Sequence, residues 1–271
     1  MLNKTRELKV FIVNLKKDTQ KKEHMQRLCN KYKLKVEFVE AVYGKELLKE
    51  EVDKVYNREL SIKYFKRDLA LPEIGCACSH INIYKSIVKD KIEYALILED
   101  DISFNTDLLK IEDQIKYFPK KWDIVLLGHH SAYSRDIDTQ GSIWNKKMLF
   151  DSYTLQYPVE NGYGTYGYLV SLNGAKKLIQ TLQTIIYPID HYTGSSKYVN
   201  VYLIKPSVIK INDSISECFT SMNDRNSIEE VKKFKSIKYI IRYILIKSDL
   251  ISAYFKIQHF FIKFKYKSYQ S

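Results

Sequence analysis

Residues 95–103 read ALILEDDIS, a short apolar run that ends in three adjacent carboxylates, Glu99, Asp100 and Asp101. An apolar run of this length predicts a buried strand. Adjacent anions repel one another, so their grouping calls for a physical reason. One reason is a loop that caps the following helix, since Asp and Glu are favoured near helix N-termini. The other is a divalent cation, because carboxylate oxygens are ligands for Mg²⁺ and Mn²⁺.

Apolar and turn patterns on both sides of this stretch predict strands that alternate with helices. The predicted strands are residues 9–14, 36–39, 95–98, 123–127, 166–171, 201–204 and 208–211. The first predicted helix is capped by Asp18 and ends near residue 31. The other predicted helices are residues 45–56, 74–88, 105–117 and 173–182. This alternation indicates an α/β sandwich with a mostly parallel sheet. Ligands of such sheets lie beyond the carboxyl ends of the strands, where residues 14–15, 99–101 and 128–129 fall.

The composition fits one large folded domain, with or without an appendage. Of the 271 residues, 45% are hydrophobic and 13% aromatic, which is ample for a buried core. Only 9 Gly and 5 Pro are present, so we expect no long flexible linker. Four cysteines, Cys29, Cys76, Cys78 and Cys218, are too few for a disulfide scaffold and fit a reducing compartment. No signal-peptide pattern is visible at the N-terminus, so the sequence predicts a cytoplasmic protein.

Positive charge is concentrated at the C-terminal end. The formal net charge is +12, and residues 231–271, with nine Lys, one Arg and one Asp, carry +9 of it. Polar and apolar residues alternate at helical spacing from Lys238 to Lys263, and no apolar run is long enough to cross a bilayer. We therefore predict a body of residues 1–225 and a basic amphipathic helical tail of residues 226–271.

Three roles of the tail stay open. A basic face opposite an apolar face of Ile, Phe and Tyr suits an anionic membrane surface. A C-terminal helix packed on the body, with solvated lysines, is the second. Nucleic-acid binding ranks last and is not expected, because the chain has no nucleic-acid-binding motif.

The remaining motifs exclude several kinds of site. No GxxxxGK[ST] or GxSxG pattern occurs, which argues against a P-loop and a nucleophile elbow. Cys76, Cys78 and His80 lack a fourth ligand at zinc-site spacing, so the sequence favours small core cysteines and a histidine near a helix start. His129 and His130 follow a strand end. One of these two histidines could contact a ligand, and a position in a solvated loop is favoured for at least one of them.

Six segments occur in an order and spacing that are specific together. They are VFIVNLKKDTQKKEHM, EIGCACSH, ALILEDDI, WDIVLLG, YGYLVSLNGAKKLI and YPIDHY, over roughly residues 9–192. Through them the chain resembles glycosyltransferase family 25, the lipooligosaccharide galactosyltransferases related to the collagen galactosyltransferases. The resemblance implies a GT-A-like fold, a nucleotide-sugar donor that is usually UDP-galactose, and a divalent cation, Mn²⁺ or Mg²⁺. It also implies inverting transfer to a sugar of a lipid-linked core oligosaccharide.

The resemblance implies donor-binding residues along the first half of the chain. Asn14 and Leu15 end the first strand, at an edge that meets the uracil and ribose in GT-A folds. Lys21 stands where family members often have Arg. A lysine keeps the positive charge but cannot make the bidentate hydrogen bonds of a guanidinium. Lys21 either holds the diphosphate or is an exposed helix lysine. Ala41 could border the nucleotide. Residues 163–167, within GYGTYG, would form a loop close to the donor, or an ordinary turn.

The resemblance also assigns the metal ligand and the base. The EDD segment corresponds to the family's DxD-type motif, with the metal on Asp101 and donor hydroxyl contacts on Asp100 and Glu99. An inverting transfer needs a base for the acceptor hydroxyl. Asp190, in YPIDHY, is the first choice, with a helix cap or an acceptor-hydroxyl ligand as its alternatives. His191 is the second choice.

Two functions of different classes follow from these residues. The first is a metal-dependent, inverting glycosyltransferase acting on a lipooligosaccharide acceptor, peripheral on the inner face of the cytoplasmic membrane. The second is a non-catalytic protein that binds a membrane surface or a polyanion through the tail.

Overall fold

Ten strands and seven α-helices organise the part of the chain that the computed structural model describes, residues 8–132 and 134–215. The strands are β1 (Lys9–Asn14), β2 (Glu37–Glu40), β3 (Tyr94–Leu98), β4 (Ile102–Phe104), β5 (Ile124–His130), β6 (Gly141–Phe150), β7 (Tyr153–Pro158), β8 (Tyr163–Ser171), β9 (Val201–Lys205) and β10 (Ile209–Ile211). The helices are α1 (Thr19–Lys31), α2 (Lys49–Val55), α3 (Arg58–Phe65), α4 (Leu71–Lys89), α5 (Asp107–Gln114), α6 (Leu172–Thr181) and α7 (Asp190–Thr193). Short 3₁₀ helices span Gly44–Glu46 and Ile115–Tyr117.

Eight of the strands form one sheet, in the order β2-β1-β3-β8-β5-β9-β7-β6. Six of them run in one direction, whereas β7 and β8 run in the other, so the prediction of a mostly parallel sheet is confirmed. Strand β8 lies between β3 and β5 and is antiparallel to both, with Leu98 of β3 opposite Gly167. The start of β8 therefore lies at the edge of the sheet where β3 ends.

Helices cover both faces of the sheet, because alternate residues of each central strand point to opposite sides. Phe11 and Val13 of β1 belong to the core that includes α4 and α6. Val10 and Ile12 belong to the core that includes α1 and α5. Each of these buried side chains stabilises the fold by about 1.5–3 kcal/mol relative to exposure. The result is a three-layer α/β/α sandwich, as the alternation of strands and helices predicts.

A second, two-stranded sheet lies beside the acidic segment. In it, β4 pairs antiparallel with β10, so the predicted late strand 208–211 is confirmed but joins a strand that was not predicted. The backbone N–H of Asn212 donates to the carbonyl oxygen of Asp101 at 2.8 Å. This small sheet fixes the chain that leaves the acidic segment.

Several local predictions were wrong in detail. The predicted helix 45–56 is the 3₁₀ helix Gly44–Glu46 followed by α2, and helix 105–117 is α5 followed by a 3₁₀ turn. Helix α3 and the β6–β7 hairpin were not predicted. Asp18 stands at the N-cap of α1, but its side chain accepts no capping hydrogen bond within the described residues. Residues 163–167, expected as a loop, form the first half of β8.

The remaining predictions concern a membrane-spanning helix, the basic tail and Cys218. Within residues 8–132 and 134–215, every helix is too short or too polar to cross a membrane. The predicted basic tail, residues 226–271, and Cys218 lie outside the described residues.

Candidate functional site

The acidic segment lies at the carboxyl edge of the sheet, directly after β3. Asp100 and Asp101 are only 9% and 8% exposed, although both are carboxylates. The backbone N–H of Glu99 donates to the carbonyl oxygen of Tyr166, at 3.1 Å, which holds the segment against β8. The next element is β4 and not a helix, so the helix-capping alternative for this segment is wrong.

Asn14 and Lys21, both predicted from the sequence, contact the two aspartates. Asn14 ends β1, the neighbour of β3, and its Nδ2 donates to Oδ2 of Asp100 at 2.7 Å. Nζ of Lys21, on α1, lies 3.4 Å from Oδ1 of Asp100 and 3.4 Å from Oδ2 of Asp101. The Lys21 side chain is 18% exposed, so it is not the solvated helix lysine of the alternative interpretation.

The electrostatics of this cluster favour a cation. Burial raises the pKa of Glu99 to about 8, and the nearby Asp101 carboxylate adds to the rise. Burial also raises the pKa of Asp100, against the opposing effects of Lys21 and of the Asn14 hydrogen bond. Lys21, Asp100 and Asp101 together carry one positive and two negative formal charges, so these three side chains leave one negative charge among themselves. A hard divalent cation on Asp101 would neutralise it.

Leu15 and Ala41 border the same edge. Leu15 follows β1 directly, and Ala41 follows β2. The backbone N–H of Ala41 donates to the carbonyl oxygen of Asn14, at 2.9 Å, so the ends of β1 and β2 are joined beside Asp100. The structure therefore brings all seven of the predicted donor-binding and metal-binding residues to one edge: Asn14, Leu15, Lys21, Ala41 and the three residues Glu99–Asp101 that follow β3.

Glu99 is oriented differently from the two aspartates. Oγ1 of Thr165, in β8, donates to Oε1 of Glu99 at 2.6 Å. A ring nitrogen of His80, the sulfur of Cys76 and a carboxylate oxygen of Glu99 lie within 4.8 Å of one another. Cys78 lies outside this cluster, and the sequence did not predict that Glu99 would meet Cys76 and His80. Thr165 lies within the predicted donor-side stretch 163–167, but its contact with Glu99 was not predicted, since that contact depends on the reversed direction of β8.

His80 is a core residue in the middle of α4, and not near its start as the sequence suggested. It is fully buried, and burial lowers the pKa of its imidazole to about 4. Its Nδ1 lies 2.7 Å from the hydroxyl oxygen of Tyr168. Its Nε2 is buried and has no hydrogen-bond partner within the described residues.

Asp190 is linked to the acidic segment through hydrogen bonds of β8. It is the first residue of α7, and its Oδ2 accepts a hydrogen bond from the backbone N–H of Gly164 at 3.4 Å. Gly164 has a φ of +90°, a conformation that favours glycine. Oδ1 of Asp190 is buried and has no hydrogen-bond partner within the described part of the chain. Gly164 and Thr165 are consecutive, so β8 holds Asp190 and Glu99 through adjacent residues.

His191, the second predicted base, is surrounded by aromatic rings. Its ring centroid is 4.9 Å from that of Phe65, 5.1 Å from that of Tyr163 and 5.9 Å from that of Tyr187. Burial lowers the pKa of its imidazole, so the neutral form is favoured. A neutral imidazole can accept a proton, but the rings restrict what can reach it.

His129 and His130 belong to β5 and not to a solvated loop. His129 is buried: its Nδ1 accepts the backbone N–H of Thr139 at 3.2 Å, and its Nε2 donates to the carbonyl oxygen of Ile204 at 3.0 Å. Burial lowers its pKa to about 4. His130 stacks on Tyr166, with ring centroids 6.3 Å apart. His129 is therefore a core residue with both ring nitrogens hydrogen-bonded, while His130 packs against Tyr166 of β8.

The family assignment rests on a comparison with known protein families. The model of "Glycosyltransferase family 25 (LPS biosynthesis protein)" matches residues 7–193. The chain belongs to glycosyltransferase family 25. The matched region includes the acidic segment, Asn14, Lys21 and Asp190, and the resemblance inferred from the six segments is confirmed.

Curated relatives carry galactosyltransferase or family names. The chain is 29% identical to procollagen galactosyltransferase 2 of Homo sapiens over 178 residues, which is 63% of this chain and 27% of that protein. It is 30% identical to procollagen galactosyltransferase 1-A of Xenopus laevis over 196 residues, 68% of this chain and 30% of that protein. A glycosyltransferase 25 family member of Drosophila melanogaster is 30% identical over 195 residues, again 68% of this chain and 30% of the relative. The chain thus spans less than a third of the length of these relatives.

Similarities to solved structures are remote. A197 from STIV aligns with a TM-score of 0.39 at 12% identity, over 74% of this chain and 83% of that chain. Mouse xyloside xylosyltransferase 1 aligns with a TM-score of 0.36 at 11% identity, over 69% of this chain and 80% of that chain. At these TM-scores neither similarity supports a conclusion.

Proposed function

We propose that this family 25 protein is an inverting, metal-dependent glycosyltransferase with a GT-A-like arrangement of its donor site. It moves galactose from UDP-galactose to a sugar of a lipooligosaccharide or LPS core acceptor. The single observation that carries the proposal is the buried pair Asp100 and Asp101, held by Asn14 and Lys21 at the carboxyl edge of the sheet. The names of the relatives support galactose, and the description of the family supports the acceptor.

In this proposal the donor diphosphate is neutralised from two sides. Asp101 holds Mn²⁺ or Mg²⁺, a fit supported by an oxygen donor set with excess negative charge. Such an ion stabilises the charge that develops on a departing diphosphate. Lys21 reaches the same place as a point charge, because its ammonium already lies between the two aspartates.

The remaining edge residues orient the nucleotide and the sugar. Asn14, Leu15 and Ala41 border the uridine at the ends of β1 and β2. Asp100 is held rigidly by Asn14 and Lys21 and accepts donor hydroxyls. Glu99, partly engaged by Thr165, accepts a further donor hydroxyl with the lone pairs that remain.

Asp190 is the proposed base. The acceptor oxygen forms a bond to the anomeric carbon while the bond from that carbon to the diphosphate breaks, and the leaving electron pair departs with UDP. The proton of the acceptor hydroxyl passes to Asp190, whose Oδ1 lacks a hydrogen-bond partner within the described residues. Attack from the face opposite the diphosphate inverts the anomeric centre. His191 is the alternative base.

One binding experiment tests the donor site. UDP is titrated into the wild type with and without Mn²⁺, and into Asp101→Asn and Asp113→Asn. Asp113 is an exposed acid on α5 and serves as the matched control. We expect Mn²⁺-dependent UDP affinity in the wild type and the control, and its loss in Asp101→Asn. A wild type that binds no UDP with Mn²⁺, and transfers no sugar from a panel of UDP-sugars to an acceptor extract, overturns the proposal.

The basic tail favours a location at a membrane. The charge of +9 on residues 231–271, which Glu229 and Glu230 reduce to +7 for the whole tail of residues 226–271, would bind the tail to an anionic surface, on the cytoplasmic face where lipid-linked acceptors are reached. The same charge supports the second candidate, a non-catalytic membrane-surface or polyanion-binding protein. Flotation with anionic and neutral vesicles tests both. Vesicle binding without any Mn²⁺-dependent UDP affinity supports the second candidate, whereas equal flotation with both vesicle types overturns the membrane role.

A further inference from the structure

Helix α4 and the end of β3 bring together three side chains that are typical metal ligands. Cys76 and His80 are four residues apart on α4, so they lie on the same side of the helix. Glu99 follows β3 at the sheet edge. A thiol sulfur, an imidazole nitrogen and a carboxylate oxygen from these residues lie within 4.8 Å of one another. One divalent ion can contact all three within such a span.

The imidazole of His80 provides a second and independent observation. Its side chain is fully buried, and its Nε2 has no hydrogen-bond partner within residues 8–132 and 134–215. Its other nitrogen, Nδ1, is engaged by the Tyr168 hydroxyl. A buried polar atom left without a partner is costly, and such atoms are rare in folded proteins. The atom therefore indicates a ligand that the protein atoms alone do not supply.

We propose that Cys76, His80 and Glu99 form a second metal site, separate from the cation on Asp101, for a borderline-soft ion such as Zn²⁺. Thiolate, imidazole and carboxylate are the three ligand types that Zn²⁺ takes in proteins, at bond lengths of about 2.0–2.3 Å. Mn²⁺ and Mg²⁺ prefer the all-oxygen set at Asp101. A water molecule completes the tetrahedron. On binding, the Cys76 thiol releases its proton to solvent.

The surroundings of this site match those of a metal-bound histidine. Such a histidine usually donates its second ring N–H to a fixed acceptor, which sets the tautomer and the ring orientation. In His80 that group is Nδ1–H, and the acceptor is the Tyr168 hydroxyl at 2.7 Å. The Tyr168 hydroxyl is itself 2.6 Å from the Tyr84 hydroxyl, and both tyrosines are fully buried. Thr165 holds the Glu99 carboxylate in the same way from β8.

The proposed ion links α4 to the segment that carries the donor site. Glu99 is adjacent to Asp100, so an ion bound by Glu99 fixes the backbone from which both aspartates extend. A carboxylate has about four lone-pair sites, so binding of the ion leaves Glu99 able to accept from Thr165 and from a donor hydroxyl. The site is thus a positioning device, and its ligands need not contact the reacting atoms.

Cobalt is the probe for this site, because a thiolate bound to Co²⁺ gives a sulfur-to-metal charge-transfer band in the near ultraviolet. The full chain is stripped with a chelator and titrated with Co²⁺ in excess Mg²⁺, which fills the all-oxygen site. We compare the wild type with Cys76→Ser and with Cys78→Ser, a cysteine on the same helix that lies outside the cluster. We expect the band in the wild type and in Cys78→Ser, and its loss in Cys76→Ser.

The outcomes separate this proposal from the proposed function. Asp101→Asn should lose Mn²⁺-dependent UDP affinity and keep the cobalt band. A wild type without the band, a band that persists in Cys76→Ser, or a band lost in Asp101→Asn each overturns a separate site at Cys76. If Cys76→Ser fails to fold, alkylation of the wild type decides. Zn²⁺ should slow modification of Cys76 but not of Cys78, mapped by peptide mass spectrometry, and equal rates at Cys76 with and without Zn²⁺ overturn the proposal.

Discussion

Asn14 donates a side-chain hydrogen bond to Asp100 over 2.7 Å, across 86 residues of sequence. The bond joins the ends of two neighbouring parallel strands, β1 and β3, at the edge where the donor site is proposed. It also satisfies a carboxylate that is only 9% exposed. The first prediction follows from this bond.

Asn14→Ala should lower the free energy of unfolding by about 1–3 kcal/mol, because a buried carboxylate then loses a donor. It should also weaken Mn²⁺-dependent UDP binding, since Asp100 is no longer held. Urea denaturation and UDP titration measure the two effects. Asn30→Ala, at an exposed position of α1, is the control and should change stability by less than about 0.5 kcal/mol. Equal stability of Asn14→Ala and the wild type would contradict the role of the bond.

Lys21→Ala should weaken UDP binding in the presence of Mn²⁺ by roughly tenfold or more, because a charge-assisted contact to the diphosphate contributes about 1.5–3 kcal/mol. Lys21→Arg should restore most of the affinity, since the guanidinium keeps the charge and adds a fork. Lys22→Ala is the matched control, because Lys22 is the next residue and is exposed. The prediction fails if Lys21→Ala and Lys22→Ala bind UDP equally well.

Asp190→Asn should reduce kcat about 10²–10⁴-fold and leave the affinity for UDP unchanged, because the amide cannot accept the acceptor proton. Initial rates at saturating donor, together with UDP titration, separate these effects. His191→Gln is measured beside it and should retain most of kcat. A large loss of kcat in His191→Gln, with Asp190→Asn active, would transfer the role of base to His191.

His129→Gln should flatten the pH dependence of stability. The pKa of His129 is about 4 in the folded protein, against 6.5 for an ordinary histidine. Between these values the unfolded chain binds a proton at residue 129 that the folded protein does not, so protonation favours the unfolded state. The stability of the fold with a neutral His129 is therefore fully present above about pH 6.5, and part of it is lost as the pH falls towards 4. Thermal unfolding from about pH 7.5 to 5 measures the slope. A variant whose slope equals that of the wild type contradicts the prediction.

Gly164→Ala should destabilise the start of β8. Gly164 has a φ of +90°, and an added Cβ would lie 2.1 Å from Cε1 of Tyr166. The left-handed backbone alone costs about 1–2 kcal/mol for a residue with a Cβ, and the clash adds to it. Chemical denaturation measures the loss, and the affinity for acceptor should fall more than that for UDP. An unchanged midpoint would show that the backbone relaxes freely there.

The sequence predicts the donor edge well because strand ends leave a local signal. Apolar runs stop abruptly at Asn14 and at Glu99, so both strand ends, and the residues that follow them, can be assigned without long-range information. Parallel neighbours then bring these ends to one edge. Lys21 was assigned only through the resemblance to family 25, because its position on the helix after β1 fits an exposed lysine equally well.

The remaining contacts depend on pairings that are remote in sequence. The bond from Thr165 to Glu99 spans 66 residues and requires β8 to run against β3, a direction that no local pattern specifies. The meeting of Cys76 and His80 with Glu99 has the same origin. The β6–β7 hairpin was missed because β6 is an edge strand with exposed Lys146 and Lys147, which weakens its apolar alternation.

The reversed strand β8 contacts both the proposed base, Asp190, and the proposed donor site, through Glu99. Gly164 binds Asp190 and Thr165 binds Glu99, so one peptide unit, with a Cα–Cα distance of about 3.8 Å, separates the two attachments. Insertions in the turns before β8 or after α7 would reshape the surface offered to an incoming sugar without altering that spacing. The surface offered to an acceptor could therefore change while the separation of the two attachments, to the proposed base Asp190 and to Glu99 of the proposed donor site, stays the same.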